Sequence, residues 1–212
     1  MIYQFYRQKV FPHLLNQIMQ VPSMMDSRRR LLLPIQGDVL EIGFGTGINL
    51  PFYQNVDTLY ALEPNPEVFR LAHSRLQHAP FHVKHIAAHA EQLPFDDNAL
   101  QHIVSTWTLC SVRDVNQVLQ EIYRTLQPGG QFHLVEHVAY DARQEPTLKR
   151  WQDILTPVQK VIADGCHLNR NIEQALLDAG FQLDHLEYFA AQDLPKLGRR
   201  MLLARATKPG AA

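Results

Sequence analysis

Val39-Leu40-Glu41-Ile42-Gly43-Phe44-Gly45-Thr46-Gly47-Ile48-Asn49 is the stretch whose reading decides the fold. An apolar run ends in an acid and then in three glycines spaced two apart. This is the pattern of a buried parallel strand turning sharply into a helix, with backbone N–H groups and bare Cα atoms offered to a ligand at the turn. Downstream the chain is apolar again over Leu59-Tyr60-Ala61-Leu62 and ends in Glu63, where a second parallel strand would present a carboxylate to a ribose diol. The two segments together read as a nucleoside-binding site.

Spacing discriminates between nucleosides. A dinucleotide fingerprint starting at Gly43 and Gly45 requires its third glycine at position 48, which is Ile48. That argues against a nicotinamide oxidoreductase. The third glycine is Gly47, and with Glu41 at its head the E-x-G-x-G-x-G run resembles the first motif of class I S-adenosylmethionine (SAM) methyltransferases. The resemblance implies SAM as cofactor, with Glu41, Gly43, Gly45, Gly47 and Asn49 around its methionine end. Glu63 would accept from the ribose hydroxyls, followed by Pro64, which fixes the chain direction, and Asn65. The Ala88–Phe95 segment resembles the part of the family that holds the adenine edge and brings in Ala90 and Glu91. Many relatives have Asp-Ala there, whereas this chain has His89, so the acceptor for the exocyclic amine must be Glu91 or a backbone carbonyl. Thr106 closes the cofactor set at the end of the fourth strand.

From Asp38 the rhythm is regular: strand 38–42, helix near 48–54, strand 58–62, helix 65–78, strand 81–86, a loop, strand 100–106, helix 114–126 and strand 131–136. Gln127-Pro128-Gly129-Gly130 stops the helix and launches the strand after it. An insertion at about 141–170 interrupts the alternation, which resumes with a helix at 171–179, Gly180, and two closing strands, 181–189 and 201–206. Strands alternating with helices predict an α/β fold with helices on both faces of the sheet. The family resemblance makes it a Rossmann-like, seven-stranded, mostly parallel sheet whose last strand is antiparallel. Ahead of it, residues 1–33 carry Tyr3, Tyr6, Val10 and Leu14, then Phe11, Leu15, Ile18 and Met19, at helical spacing broken near Pro12 and Pro22. This N-terminal helical segment either covers sheet edges or roofs the site, and residues 34–212 form the SAM-binding domain. Arg28-Arg29-Arg30 reads as a solvated helix face.

The chain's 212 residues suit one domain. Its 20 basic and 21 acidic residues supply no electrostatic reason to bind nucleic acid or an anionic membrane. Two distant cysteines, Cys110 and Cys166, suggest a reducing compartment, and no apolar run is long enough to span a bilayer, so a cytoplasmic protein without stable membrane insertion is expected. The oligomeric state is left open.

The end of strand four, Ser105–Val112, lacks the Asn/Asp-Pro-Pro-Tyr/Phe motif of amino-methylating enzymes acting on bases or glutamine amides. A small-molecule methyl acceptor is favoured instead. Trp107 reads either as a π-face for a cationic sulfonium or as packing, and Cys110 as a small core residue. The runs Glu136-His137-Val138-Ala139 and Asp164-Gly165-Cys166, together with Leu109-Cys110-Ser111-Val112, resemble the methyltransferase-like group that includes animal alkyl-thiol S-methyltransferases. A thiol must lose its proton, and His137 or Asp164 could take it; a strand cap and a turn before Gly165 are the competing readings of these two residues. His133 and His137 recur four apart on a strand without a third ligand at convincing spacing, so no metal is expected. Quinone-precursor or lipid-amine methylation, and a non-catalytic SAM-binding module, are the alternatives.

Overall fold

The computed structural model describes Tyr6 and residues 11–210. Seven strands, β1 (Gln36–Ile42), β2 (Asn55–Leu62), β3 (His82–Ile86), β4 (Leu100–Thr106), β5 (Leu126–His137), β6 (Gln182–Ala190) and β7 (Arg200–Thr207), form one sheet in the order β3-β2-β1-β4-β5-β7-β6. Neighbours among β1 to β5 run parallel, and β7 is antiparallel to both β5 and β6. The expected sheet is therefore present, and the order reverses at β1, where an open α/β sheet receives its ligand.

Side chains alternate across the strands, and each face has its own apolar layer. Leu40, Ile42, Ile103, Phe132 and Leu134 pack with Val118, Leu119 and Ile122 of α5 (Val115–Thr125) and Ile172 and Leu176 of α7 (Ile172–Asp178). On the other face Val39, Leu59, Val104, Val135 and Leu203 pack with Met24, Leu31 and Leu32 of α2 (Pro22–Leu32). Each fully buried aliphatic side chain contributes about 1.5–3 kcal/mol.

Several elements differ from the sequence expectation for local reasons. In place of a helix near 48–54 there is one 3-10 turn, Leu50–Phe52, because Gly47 is left-handed (φ 74°) and Pro51 has no N–H to continue a ladder. The helix expected over 65–78 is divided into α3 (Pro66–Arg70) and α4 (His73–Leu76) where Leu71 and Ala72 hydrogen-bond three residues back. Gln127–Gly130 forms no separate loop: β5 begins at Leu126, with a bulge between its pairings to Leu100 and His102. Pro12 does not break α1 (Phe11–Ile18) but sits in its first turn, where a proline is tolerated. Tyr3 and Val10 lie outside the described residues. In α1, Leu14, Leu15 and Ile18 face outward, so this stripe does not cover the sheet.

The insertion contains α6 (Pro146–Ile162), whose polar side is the docked one. Buried Gln152 accepts from Tyr140 N–H at 2.8 Å and donates to the Leu197 carbonyl at 2.9 Å, while Trp151, Ile154, Val158, Val161 and Ile162 are exposed.

The three motif glycines do different jobs. A Cβ on Gly43 (φ 72°) would overlap the Thr108 side chain, approaching its Cβ to 2.8 Å, and one on Gly47 would press on Phe44, Leu50 and Ala72 at 3.1 Å. Gly45 (φ 61°) faces open space, its nearest neighbour being the Gly43 carbonyl at 3.8 Å. Gly43→Ala should therefore lower stability by about 3 kcal/mol, from about 1–2 for the left-handed backbone and about 1–3 for overlap. Gly45→Ala should cost only about 1–2 kcal/mol while impairing SAM binding, as urea unfolding and calorimetry on both variants would show.

Candidate active site

Beneath the glycine turn lies a buried polar chain. Arg28 donates from Nε to Asn49 Oδ1 at 2.9 Å and from Nη1 to the Met19 carbonyl at 2.7 Å. Asn49 Nδ2 donates to Glu41 Oε1 and to Thr106 Oγ1, each at 3.0 Å, and Tyr53 donates to Glu41 Oε2 at 2.7 Å. Arg28 is 2% exposed and Glu41 1%. Burial raises the Glu41 pKa to about 7 against its hydrogen bonds and the pull of Arg28, and burial lowers Arg28 to about 10. The expectation of a solvated arginine face is thus corrected for Arg28; Arg29 and Arg30 are exposed. The guanidinium also lies 4.5 Å over the Trp107 ring, so Trp107 offers that face to Arg28. Glu41, Asn49 and Thr106 hold the turn from below, their polar atoms joined to one another.

Above the turn stands Glu63, at the end of β2 and 8% exposed. Its Oε2 accepts from Gly45 N–H at 3.0 Å and its Oε1 from Asn65 N–H at 2.9 Å. Burial raises its pKa, opposed by those two N–H donors and by His85, and assisted by the Asp164 carboxylate. The Asn65 side chain caps α3 through Glu67 N–H at 3.0 Å, and Pro64 is exposed between them. The open space at Gly45, walled by this carboxylate, is the cradle a SAM ribose and methionine would require. A Cβ would intrude there, and Glu63 keeps lone pairs for hydroxyl donors.

Along the adenine-edge segment, Ala90 is buried, His89 is exposed, and Glu91 Oε1 accepts from Arg113 N–H at 2.9 Å, tying the loop to the start of α5.

On the far side of the cradle, Trp107 adopts φ 54° and turns the chain so that Thr108 and Leu109 both donate N–H bonds of 2.8 Å to Glu136 Oε1. Ser105 Oγ adds a third at 3.2 Å, while Glu136 Oε2 is buried without a partner among the described residues. Arg170 donates to the Leu109 and Val112 carbonyls and fastens the same loop from the insertion. Asp164 (φ 46°) and Gly165 (φ 90°) form the turn that ends α6, and Gly165 N–H donates to the Lys160 carbonyl at 2.8 Å. His137, at the end of β5, places Nε2 3.0 Å from Cys166 Sγ, with Cys110 alongside. His133 turns instead to His102 at 3.2 Å, and burial lowers its pKa to about 3.

Neither the buried roles of Arg28 and Glu136 nor the meeting of Cys110 with Cys166 was expected from the sequence. Arg28 was detectable: Met24, Ser27, Arg28, Leu31 and Leu32 share one helical face.

A family model for a methyltransferase domain matches residues 40–134. The chain is 30% identical over 190 residues to thiol S-methyltransferase TMT1B of Homo sapiens, covering 84% of this chain and 77% of that protein. The chain belongs to the class I SAM-dependent methyltransferases, near the thiol S-methyltransferase group. It is 33% identical to thiol S-methyltransferase TMT1A of Homo sapiens over 72% of this chain and 63% of that protein. With TMT1B of Rattus norvegicus identity is 36%, over 71% of this chain and 62% of that protein, so the chain spans somewhat under two thirds of the length of these two relatives. Geranyl diphosphate methyltransferase in complex with SAM superposes with a TM-score of 0.69 at 13% identity, over 88% of this chain and 84% of that one. A SAM-dependent methyltransferase from Methanosarcina mazei gives 0.62 at 21%, over 82% and 93%. These structural likenesses carry the methyltransferase fold. Among the described residues no helix is long and apolar enough to cross a membrane.

Glu63→Ala should weaken SAM binding by about 1–3 kcal/mol, with Glu63→Gln in between because it retains one acceptor; unchanged affinity by calorimetry would remove Glu63 from the site. For the network below, the sign follows from Glu41: with a folded pKa near 7 against 4.5, the native chain holds a proton that the unfolded chain releases, so stability falls as pH rises through that window. Arg28→Met takes away the charge that restrains this shift. Its destabilisation in urea should grow with pH, reaching about 3 kcal/mol above neutrality.

Proposed function

We propose that this methyltransferase methylates the sulfur of a small alkyl thiol, with the Gly45–Glu63 cradle holding SAM and the corner formed by His137, Asp164, Cys110 and Cys166 receiving the acceptor. The observation that carries the reading is this meeting of a buried imidazole with two cysteine sulfurs, next along the chain to the Asp164 turn whose carboxylate acts on Glu63. The thiol S-methyltransferase relatives support it. Bound SAM supplies a methyl group already activated on sulfonium, which leaves the protein to position, deprotonate and dehydrate the acceptor.

In this reading Gly45 lets the cofactor lie against backbone, Glu63 grips the ribose, and Asn65 and Pro64 fix the start of α3. Gly43 and Gly47 shape the turn, and Glu41, Asn49 and Thr106 hold it rigid from beneath. Ala90 and Glu91 border the adenine. His137 or Asp164 takes the thiol proton. The N-terminal segment roofs the glycine turn, a reading supported by the 2.7 Å bond from Thr46 Oγ1 to Asn16 Oδ1. The buried thiols suit a reducing compartment, and we place the enzyme in the cytoplasm.

Screening alkyl thiols, phenols, quinone precursors and lipid amines with methyl-labelled SAM tests the acceptor. Label should appear on thiols, and transfer confined to another class would replace this assignment. His137→Ala should lower turnover about 100-fold or more with SAM affinity unchanged; normal turnover would return His137 to a structural role.

A further inference from the structure

Three chain segments far apart in sequence bring Cys110, His137 and Cys166 together, with one ligand atom from each lying within 4.8 Å of the others. Cys110 sits in the loop after β4, His137 ends β5, and Cys166 follows the α6 turn. All three are buried, at 3%, 9% and 9% exposure, and both cysteines are free thiols. Their protein partners are poor. Cys110 Sγ makes 3.5 Å contacts with the Trp107 carbonyl and Ser111 Oγ and interacts with Cys166, and Gln159 approaches Cys166 Sγ at 3.8 Å. His137 Nε2 meets only the Cys166 sulfur, and its Nδ1 is buried without a partner among the described residues. A buried imidazole nitrogen left without a hydrogen-bond partner is costly.

We propose that Cys110, His137 and Cys166 bind a thiophilic divalent cation such as Zn²⁺ through three protein ligands, leaving a fourth position for the sulfur of the acceptor thiol. Two thiolates and a neutral imidazole balance a 2+ charge, which suits a buried site, and a Cys₂His set with one open position is a donor arrangement that zinc accepts. Loading releases both thiol protons to solvent. A tetrahedral ion separates a nitrogen and a sulfur ligand by roughly 3.5 Å, so His137 and Cys166 move apart by roughly half an ångström from their 3.0 Å contact. The bound ion then takes an alkyl thiol as its thiolate: the metal–sulfur bond replaces metal–water, and the S–H proton leaves to solvent. His137 is a ligand in this arrangement, so the proton-accepting role given above to His137 or Asp164 is replaced by ionisation of the acceptor thiol on the metal. Asp164, two residues ahead of Cys166 in the turn that ends α6, acts electrostatically on Glu63.

The inference deepens the thiol assignment, and the test separates the two. The full chain, stripped with a chelator under reducing conditions, is titrated with Co²⁺. One equivalent should give a thiolate-to-cobalt charge-transfer band with tetrahedral d–d absorption, abolished by Zn²⁺. Cys110→Ser and Cys166→Ser should each weaken Co²⁺ binding by more than about 10-fold, with folding checked by thermal unfolding. Adding 2-mercaptoethanol to the cobalt form should strengthen the charge-transfer band. No band in the wild-type chain overturns the site whether or not a variant folds, and a band that survives in the double cysteine variant overturns the ligand set. A band indifferent to 2-mercaptoethanol overturns the acceptor position. Thiol methylation at full rate in metal-free protein would leave the thiol reading standing without the metal; a cobalt site in a chain that methylates no thiol would do the reverse.

Discussion

The site depends on a buried cation. Arg28 projects from α2 across the underside of the glycine turn, and through Asn49 it is joined to a glutamate that is itself sealed from water. Neither charge could be buried alone, and together they are stabilised only if every remaining polar atom has a partner. Tyr53 and Thr106 complete that requirement. The network consequently ties α2, β1, the 3-10 turn and the end of β4 into one unit. The open space at Gly45 is held by a polar chain that runs from Arg28 through Asn49 to Glu41 and Thr106.

A second carboxylate performs the corresponding task on the other side. Glu136 gathers two successive backbone N–H groups of the loop after β4, which a left-handed Trp107 turns toward it. Such a conformation costs a non-glycine residue about 1–2 kcal/mol. The Trp107 N–H bond to the Val135 carbonyl at 2.9 Å, the Nε1 contact with Met201 Sδ at 3.4 Å and the Arg28 stack offset it. Trp107 therefore couples the two carboxylate centres, because the cation that neutralises Glu41 also lies on the ring that shapes the Glu136 loop. The left-handed residue sits three positions ahead of Cys110, where the chain turns toward Glu136.

The sheet was legible because its strands carry uninterrupted apolar runs ending in acids or glycines, and β1, β2 and β4 are found within a few residues of where those runs predict them. The placement of Glu63 was legible for the same reason, since the apolar run of β2 stops at it, and its carboxylate lies beside Gly45. The roles of Gly43 and Gly47 were not: a sequence shows that a Cβ is missing but not whether a ligand or Thr108 and Ala72 fill the space. Arg28 was obscured by its two solvated neighbours, although helical spacing put it on the apolar face. Cys110 and Cys166 could not be joined by spacing because 55 intervening positions say nothing about how the insertion folds back.

The insertion shows why periodicity fails there. In α6 the docked face is carried by Gln152 and Thr156, whose hydrogen bonds to the Tyr140 N–H, the Leu197 carbonyl and the helix's own Gln152 carbonyl replace apolar burial. A helix attached in this way has no reason to show an inward apolar stripe, and its apolar residues point out. Its fixed point is nonetheless firm, because Gln152 bridges the chain after β5 and the 3-10 turn Lys196–Gly198 ahead of β7. From that anchor the helix runs to Asp164 and Gly165, and the chain beyond is fastened again by His167 N–H to the Cys110 carbonyl at 2.8 Å and by Arg170 to the Leu109 and Val112 carbonyls, so Cys166 is held beside His137 from both ends. Truncating the Gln152 amide removes one of these fastenings while leaving the hydrogen bonds at Gly45 in place.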